Sequence, residues 1–229
     1  MKILILNGSP KRKSDTMNLT KAFLNGIEKK GKHSIEIINI IEKEIKPCTG
    51  CFACWKNQDG KCIQNDYQNE ILEKITVADV IIWSFPLYCY GMPSHMKAVV
   101  DRTIPLRKMS MNETNGVVRH DALIDLSSKH YVVISGAGFP DWSGNFEGLK
   151  FQCRNTFFNG NLTMVCVSET PLLNSPAAES LVQPLLEKFK EAGEYYAENL
   201  CLSEDIVTAL ETPMLPNEAY IKLVNSLQR

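Results

Sequence analysis

Apolar residues in this chain fall into short unbroken runs, separated by stretches where they recur every third or fourth position. Ile3 to Leu6 is such a run, as expected of a strand buried on both faces of a parallel sheet. Behind it, Leu19, Ala22, Phe23, Gly26 and Ile27 keep helical spacing from Thr16 to near Gly31, with Ser14, Asp15 or Thr16 as N-cap. His33 to Ile40 alternates and then runs apolar, which predicts a second strand. Tyr67 to Thr76 sets Ile71, Leu72 and Ile75 on one helical face behind Asp66 as a cap. Asp79 to Ser84 is a third strand, and Pro93 opens a helix from Ser94 to about Thr103. Ile104 to Lys129 is expected to be a connector longer than an ordinary loop, either functional or an oligomer contact. His130 to Ser135 is a fourth strand, Phe146 to Phe158 a helix and Leu162 to Val167 a fifth strand. Ala177 to Leu200 is a long amphipathic helix with Leu181, Leu185, Phe189, Ala192 and Tyr196 on one face. Ser203 to Glu211 and Asn217 to Leu227 predict two short helices separated by Pro213 and Pro216.

Five strands interleaved with helices imply an α/β fold, a doubly wound five-stranded parallel sheet with helices on both faces. Residues 1–200 are expected to form that domain, and 201–229 a C-terminal helical extension acting as a lid or docking arm. Loops that follow parallel strands gather at one edge of the sheet, where open α/β sheets bind ligands. Three such loops carry chemistry. Residues 7–16 join a buried strand to a helix N-terminus, whose free N–H groups and dipole attract an anion. Ser9, Ser14, Thr16 and Asn18 add donors there, and Lys11 adds charge. Residues 85–91 supply Tyr88 and Tyr90 in a turn made rigid by Gly and Pro. These rings either flank a planar heterocycle or serve as ordinary core or interface aromatics. Gly136 and Gly138 in residues 136–145 allow a backbone to approach closely. A phosphate at one end and a flat ring at the other describe a mononucleotide.

With 44% hydrophobic residues and a net charge of −1, the chain has the make-up of a core-forming globular protein without a basic stripe. Nucleic acid and membrane are therefore not expected partners, and no apolar run is long enough to span a bilayer. The apolar start is too short for a signal-peptide core, so a cytoplasmic location is expected. Eight cysteines in such a chain argue against a disulfide framework. Four of them form Cys48-x2-Cys51-x2-Cys54-x7-Cys62, the strongest metal-like spacing present. The run suits the corners of a [4Fe–4S] cubane or a four-thiolate zinc site. Alternatively it is a packed loop without metal, in which Cys51 and Cys54 are small buried residues and Phe52 and Trp55 are anchors.

Three motifs together resemble a known family. They are Gly8-Ser9-Pro10-Lys11 with Asn18, Cys48-Thr49-Gly50-Cys51-Phe52-Ala53-Cys54-Trp55, and Pro86-Leu87-Tyr88 with Gly91-Met92-Pro93. In that order, over residues 1 to about 167, the chain is similar to the flavodoxin-like NAD(P)H-dependent FMN reductases, and more closely to their iron–sulfur flavoprotein branch. The resemblance implies a sheet of order 2-1-3-4-5. It also implies FMN as cofactor, with Ser9, Lys11, Ser14, Thr16, Met17 and Asn18 around its phosphate. Pro86, Leu87, Tyr88, Cys89 and Gly91 would line the isoalloxazine, with Gly136 and Gly138 in the loop closing its other side. The implied activity passes hydride from NAD(P)H to bound FMN and on to a small acceptor such as a quinone, a nitro or azo compound, or free flavin. The alternative is an electron-transfer module with FMN plus a cluster on Cys48, Cys51, Cys54 and Cys62. Flavin-centred chemistry needs no catalytic side chain, and none is assigned. His95 lies just past the ring loop, within reach of the site, although such a His is more often a partly buried surface residue. Gly136-Ala137-Gly138 does not continue into a dinucleotide fingerprint, so NAD(P)H is expected as a transient co-substrate. A homo-oligomer, dimer or tetramer, is expected.

Overall fold

The computed structural model describes residues 1–158 and 160–226. Strands β1 (Lys2–Asn7), β2 (Ser34–Asn39), β3 (Val80–Pro86), β6 (His130–Gly136) and β7 (Asn161–Val167) form one parallel sheet in the order β2-β1-β3-β6-β7. Counted along the sheet-forming strands alone, this is the expected 2-1-3-4-5. The pleat sends alternate residues of β1 to opposite faces. Ile3 and Ile5 enter a core shared with α1 (Asp15–Lys29) and α6 (Glu179–Asn199). Leu4 and Leu6 enter a second core. That core also holds residues of α3 (Gln68–Val77), α4 (Ser94–Asp101) and α5 (Glu147–Thr156). Both faces of the sheet are thereby covered, which is why its strands read as apolar runs.

Helix α1 starts at Asp15 because Ser14 accepts a hydrogen bond from Met17 N at 3.1 Å; Asp15 and Thr16 lie inside the helix. Its seam with α6 is close. Gly26 and Gly193 face the partner backbone, and Phe23 meets Tyr196 at 5.3 Å between ring centroids. The buried stripe of α6 runs through Val182, Leu185, Phe189, Ala192, Gly193 and Tyr196. Leu181, expected on that face, is 39% exposed: the stripe enters the first turn three residues before Leu185, through Val182, and leaves Leu181 at the rim.

The stretch 104–129 departs from the expected connector. It contains a two-stranded antiparallel hairpin, β4 (Arg107–Thr114) and β5 (Val117–Ala122), outside the main sheet. Asn115 and Gly116 turn it, with φ of 52° and 77°. Asn-Gly is the strongest short-range hairpin signal, because both central residues of a type I′ turn need positive φ. The flanking strands hide it because they are largely exposed and carry no apolar run.

Two helices end the described chain, α7 (Glu204–Glu211) and α8 (Asn217–Ser226); the expected end at Leu227 lies outside the described residues. Their Leu210 and Tyr220 belong to the first core.

Candidate functional site

The loops at residues 7–16, 85–91 and 136–145 meet at the C-terminal edge of the sheet around a cleft of about 190 Å³. Short hydrogen bonds fix the first loop. Gly8 N donates to Ser84 O at 2.8 Å, and Ser9 N donates to Asn7 Oδ1 at 3.0 Å. Lys11 N donates to Ser9 Oγ at 3.3 Å. Gly8 passes so near α4 that a Cβ there would lie 2.2 Å from Met96 Cγ. His95, on the same helix, donates through Nε2 to Gly8 O at 2.8 Å, so it holds the loop by its backbone.

At the anion end, Ser9, Lys11 and Thr16 line the cleft above the N-terminus of α1. Asp15 also lines it and pairs with Lys11 Nζ at 3.0 Å, which turns the ammonium toward the same end. Ser14 Oγ lies 3.0 Å from Thr16 Oγ1. Two other candidates are engaged elsewhere. Met17 is buried in the core, and Asn18 Nδ2 donates to Leu173 O at 3.3 Å and Asn174 Oδ1 at 3.1 Å.

At the ring end, Pro86, Leu87 and Tyr88 form one wall. Tyr88 and Gly91 exchange two backbone hydrogen bonds of 3.0 Å across Cys89 and Tyr90, whose φ values are 46° and 63°. Two consecutive non-glycine residues in the left-handed region are costly and point to a functional constraint. The turn holds out Tyr88, Cys89 and Tyr90, all exposed. The Tyr90 ring lies near-parallel to Phe139 at 6.5 Å and edge-on to Trp142 at 6.4 Å.

The far wall is Gly136, Gly138, Thr170 and Pro171. Gly136 O accepts from Leu87 N at 2.8 Å, which ties the second loop to the third. A Cβ on Gly136 would lie 2.5 Å from Thr170 Cγ2 and 3.0 Å from Thr16 Cγ2, so this glycine keeps the cleft floor open. Sequence reasoning missed Asp15, Thr170 and Pro171. The last two follow the fifth sheet strand, so the strand-end rule that located the other loops could have found them.

Beside this wall, Glu169 is fully buried with φ 61°, and its Oε2 accepts from Met214 N at 2.9 Å and Leu215 N at 3.0 Å. Burial pushes its carboxyl above the ordinary range, and Asp141 adds to this against the two N–H donors. Tyr220 donates to Gly138 O at 2.8 Å, and Asn217 Nδ2 to Asp141 O at 2.7 Å, so α8 rests on the third loop.

Cys48, Cys51, Cys54 and Cys62 line a second, narrow cavity of about 30 Å³ together with Arg102, Ile104 and Pro105. The loop, with its short helix α2 (Ala53–Asn57), is anchored by Phe52, stacked on Trp55 at 5.0 Å, and by Trp55 against His120 of β5 at 4.7 Å. All eight cysteines are free thiols. The Ala53 N–H and the Thr49 hydroxyl lower Cys51, whereas burial raises Cys54. Burial pushes Cys153 up to about 12 and Cys166 further, so both are inert core residues. Among the described residues no three His, Cys, Asp or Glu side chains close on a single point as one ion requires. A cubane instead takes thiolates spread around its body. Four thiols on one cavity, with Cys48 and Cys51 exposed, Cys62 half-buried and Cys54 buried, are the soft donor set such a group takes.

A family model described as flavodoxin-like fold matches residues 1–198. An iron–sulfur flavoprotein of Methanocaldococcus jannaschii is 38% identical over 107 residues, covering 47% of this chain and 54% of the relative. One from Methanosarcina thermophila is 33% identical over 117 residues, covering 51% and 60%. The chain thus spans about half the length of the curated relatives it matches. Among solved structures, an FMN-dependent NADH-azoreductase from Bacillus anthracis in complex with FMN superposes with a TM-score of 0.62 at 19% identity, covering 86% of this chain and 99% of that one. An NAD(P)H:quinone oxidoreductase from Methanothermobacter marburgensis gives 0.61 at 19% identity, covering 85% and 96%. At such identity the likeness is one of fold.

Proposed function

The chain belongs to the flavodoxin-like fold family, whose model covers residues 1–198, and from that membership we propose that it is an FMN-dependent NAD(P)H oxidoreductase delivering electrons to a small acceptor such as a quinone, a nitro or azo compound, or free flavin. One observation carries the reading: a single cleft runs from a helix N-terminus with hydroxyls and a lysine to a wall built on a strained aromatic turn. Bound FMN would supply hydride acceptance from a reduced nicotinamide and electron delivery to the acceptor. Ser9, Thr16 and Lys11 would hold its phosphate, with the Ser14 hydroxyl capping the helix beneath. Leu87, Tyr88 and the bare Gly136 would leave a flat slot for the ring. The exposed rings of Tyr90, Phe139 and Trp142 offer the outer surface against which a planar nicotinamide or acceptor could stack. Proton transfer needs no side chain of this chain. The reading includes a homo-oligomer in the cytoplasm; no described helix is long and apolar enough to cross a membrane.

A second reading is favoured by the four cysteines on one cavity: an iron–sulfur flavoprotein in which a 4Fe–4S cluster takes electrons onward to a protein acceptor. Anaerobic purification, an absorption spectrum, acid release of the chromophore and an iron and zinc assay test both readings. FMN release with no iron and steady NAD(P)H oxidation by a quinone supports the reductase. FMN with about four irons per chain supports the second reading. A colourless protein that does not take up added FMN overturns both.

A further inference from the structure

Arg102 follows α4 and is 1% exposed, yet it lines the cavity of Cys48, Cys51, Cys54 and Cys62. Its guanidinium is held in a two-pronged pair by Asp66, whose side chain is equally buried: Nη2 lies 2.8 Å from Oδ1, and Nη1 donates to Oδ2 and to Lys46 O. Asp66 is itself fixed by Lys46 N at 2.9 Å and Gln68 N at 3.2 Å. Gln68 Nε2 donates to Arg102 O at 3.0 Å and Val99 O at 3.1 Å, which braces the assembly. Two of its buried atoms are left over, the acceptor Gln68 Oε1 and the donor Arg102 Nε. Arg102 Nε is buried and has no hydrogen-bond partner among the described residues.

A buried donor without an acceptor is expensive, and a guanidinium already paired with one carboxylate needs no second anion for stability. The surplus N–H beside a wall of thiols therefore marks a place for negative sulfur. We propose that Arg102 is a positioning residue for an anionic iron–sulfur cluster in this cavity, a fixed cation clamped by Asp66 that holds the cluster's charge and sets its reduction potential. This rests on the second reading above, that the cysteines carry a cluster.

Reduction adds one negative charge beside Arg102, so the cation favours the reduced form and the Asp66 carboxylate opposes it. The two residues should act with opposite signs, which a merely structural role would not produce. The test uses full-length protein reconstituted anaerobically with ferrous iron and sulfide. Bound iron and acid-labile sulfide are counted, and the midpoint is found by dithionite titration followed by electron paramagnetic resonance. Arg102→Gln is expected to lower the reduction equilibrium at least tenfold, about 59 mV for a one-electron couple. Asp66→Asn should shift it upward, and Arg102→Lys should restore most of the loss. Iron loss from Arg102→Gln with an unchanged melting temperature also supports the assignment. Full iron with the midpoints of Arg102→Gln and Asp66→Asn both unmoved from wild type overturns it while leaving the second reading intact. If Arg102→Gln does not fold, the Asp66→Asn shift decides alone. Wild-type protein that takes up no iron overturns both.

Discussion

Replacing Gly193 with alanine pits two opposed effects of known size against each other. In mid-helix, Ala is better than Gly by about 0.8–1.0 kcal/mol, so an unobstructed Gly193→Ala should stabilise α6. The site is not unobstructed. A Cβ at Gly193 would lie 1.9 Å from Phe23 O, and one at Gly26 would lie 1.9 Å from Lys190 O, so the two helices cross backbone to backbone. A relaxed carbon–oxygen contact is at least about 3.3 Å, so the axes must part by roughly 1.4 Å. The obstacle is a helical carbonyl, which cannot swing aside as a side chain can. Separation on that scale loosens Phe23, Ile27, Phe189, Ala192 and Tyr196, all fully or nearly fully buried. Overpacking of this kind typically costs about 1–3 kcal/mol and sometimes more, so packing outweighs propensity by about 1 kcal/mol. For a chain of this length that is a drop of roughly 2–4 °C in Tm. Urea unfolding of the apoprotein at 25 °C, read by circular dichroism, measures it directly. Gly26→Ala should behave alike, and the double variant should lose less than the sum because the helices are already parted. A Gly193→Ala protein as stable as wild type, or more so, would refute the close crossing.

Ser14→Ala removes the acceptor for Met17 N and should cost about 1 kcal/mol, with weaker FMN binding, measured by thermal melting and flavin fluorescence. Lys11→Gln should weaken FMN about two- to fivefold at low salt, with the difference shrinking as salt is added, and should leave riboflavin affinity unchanged. Equal effects on both flavins would remove Lys11 from the phosphate seat. Glu169 titrates higher when folded than unfolded, so the folded state holds its proton more tightly; stability from this group is present below the unfolded value of 4.5 and falls as pH rises through the folded one. Glu169→Gln should therefore gain on wild type as pH rises from about 5 to 8 in denaturation curves. A constant difference across that range would contradict the assigned cause.

Much of the architecture was legible because it is written in local pattern. Ile3–Leu6 reads as a doubly buried strand from four residues, and Ser14 is a cap by virtue of its own hydroxyl. Chain order with right-handed crossovers brings three loops to one edge without any coordinates. The Asn115–Gly116 turn was equally local, and the hairpin was hidden only because its strands bury nothing. Other features depend on more than local pattern. Thr170 and Pro171 follow a strand that the pattern shows, but their height at the cleft is set by the pairing of β7 with β6. Met17 and Asn18 sit beside Thr16 in sequence but turn to the core and to Leu173, because successive helix positions point 100° apart.

The sequence by itself determined the strand and helix periods, the capped turn at the head of α1 and the spacing of the cysteines. Tertiary structure alone decided which polar groups are left without partners. Arg102 is an ordinary arginine until Asp66, from another segment, fills its fork and packing beside the cysteine cavity leaves its Nε buried without a partner. Glu169 is an ordinary glutamate until the chain returns at Met214 to bury it. Hydrophobic period and turn chemistry act over a few residues. Desolvation and charge pairing depend on what long-range packing brings alongside.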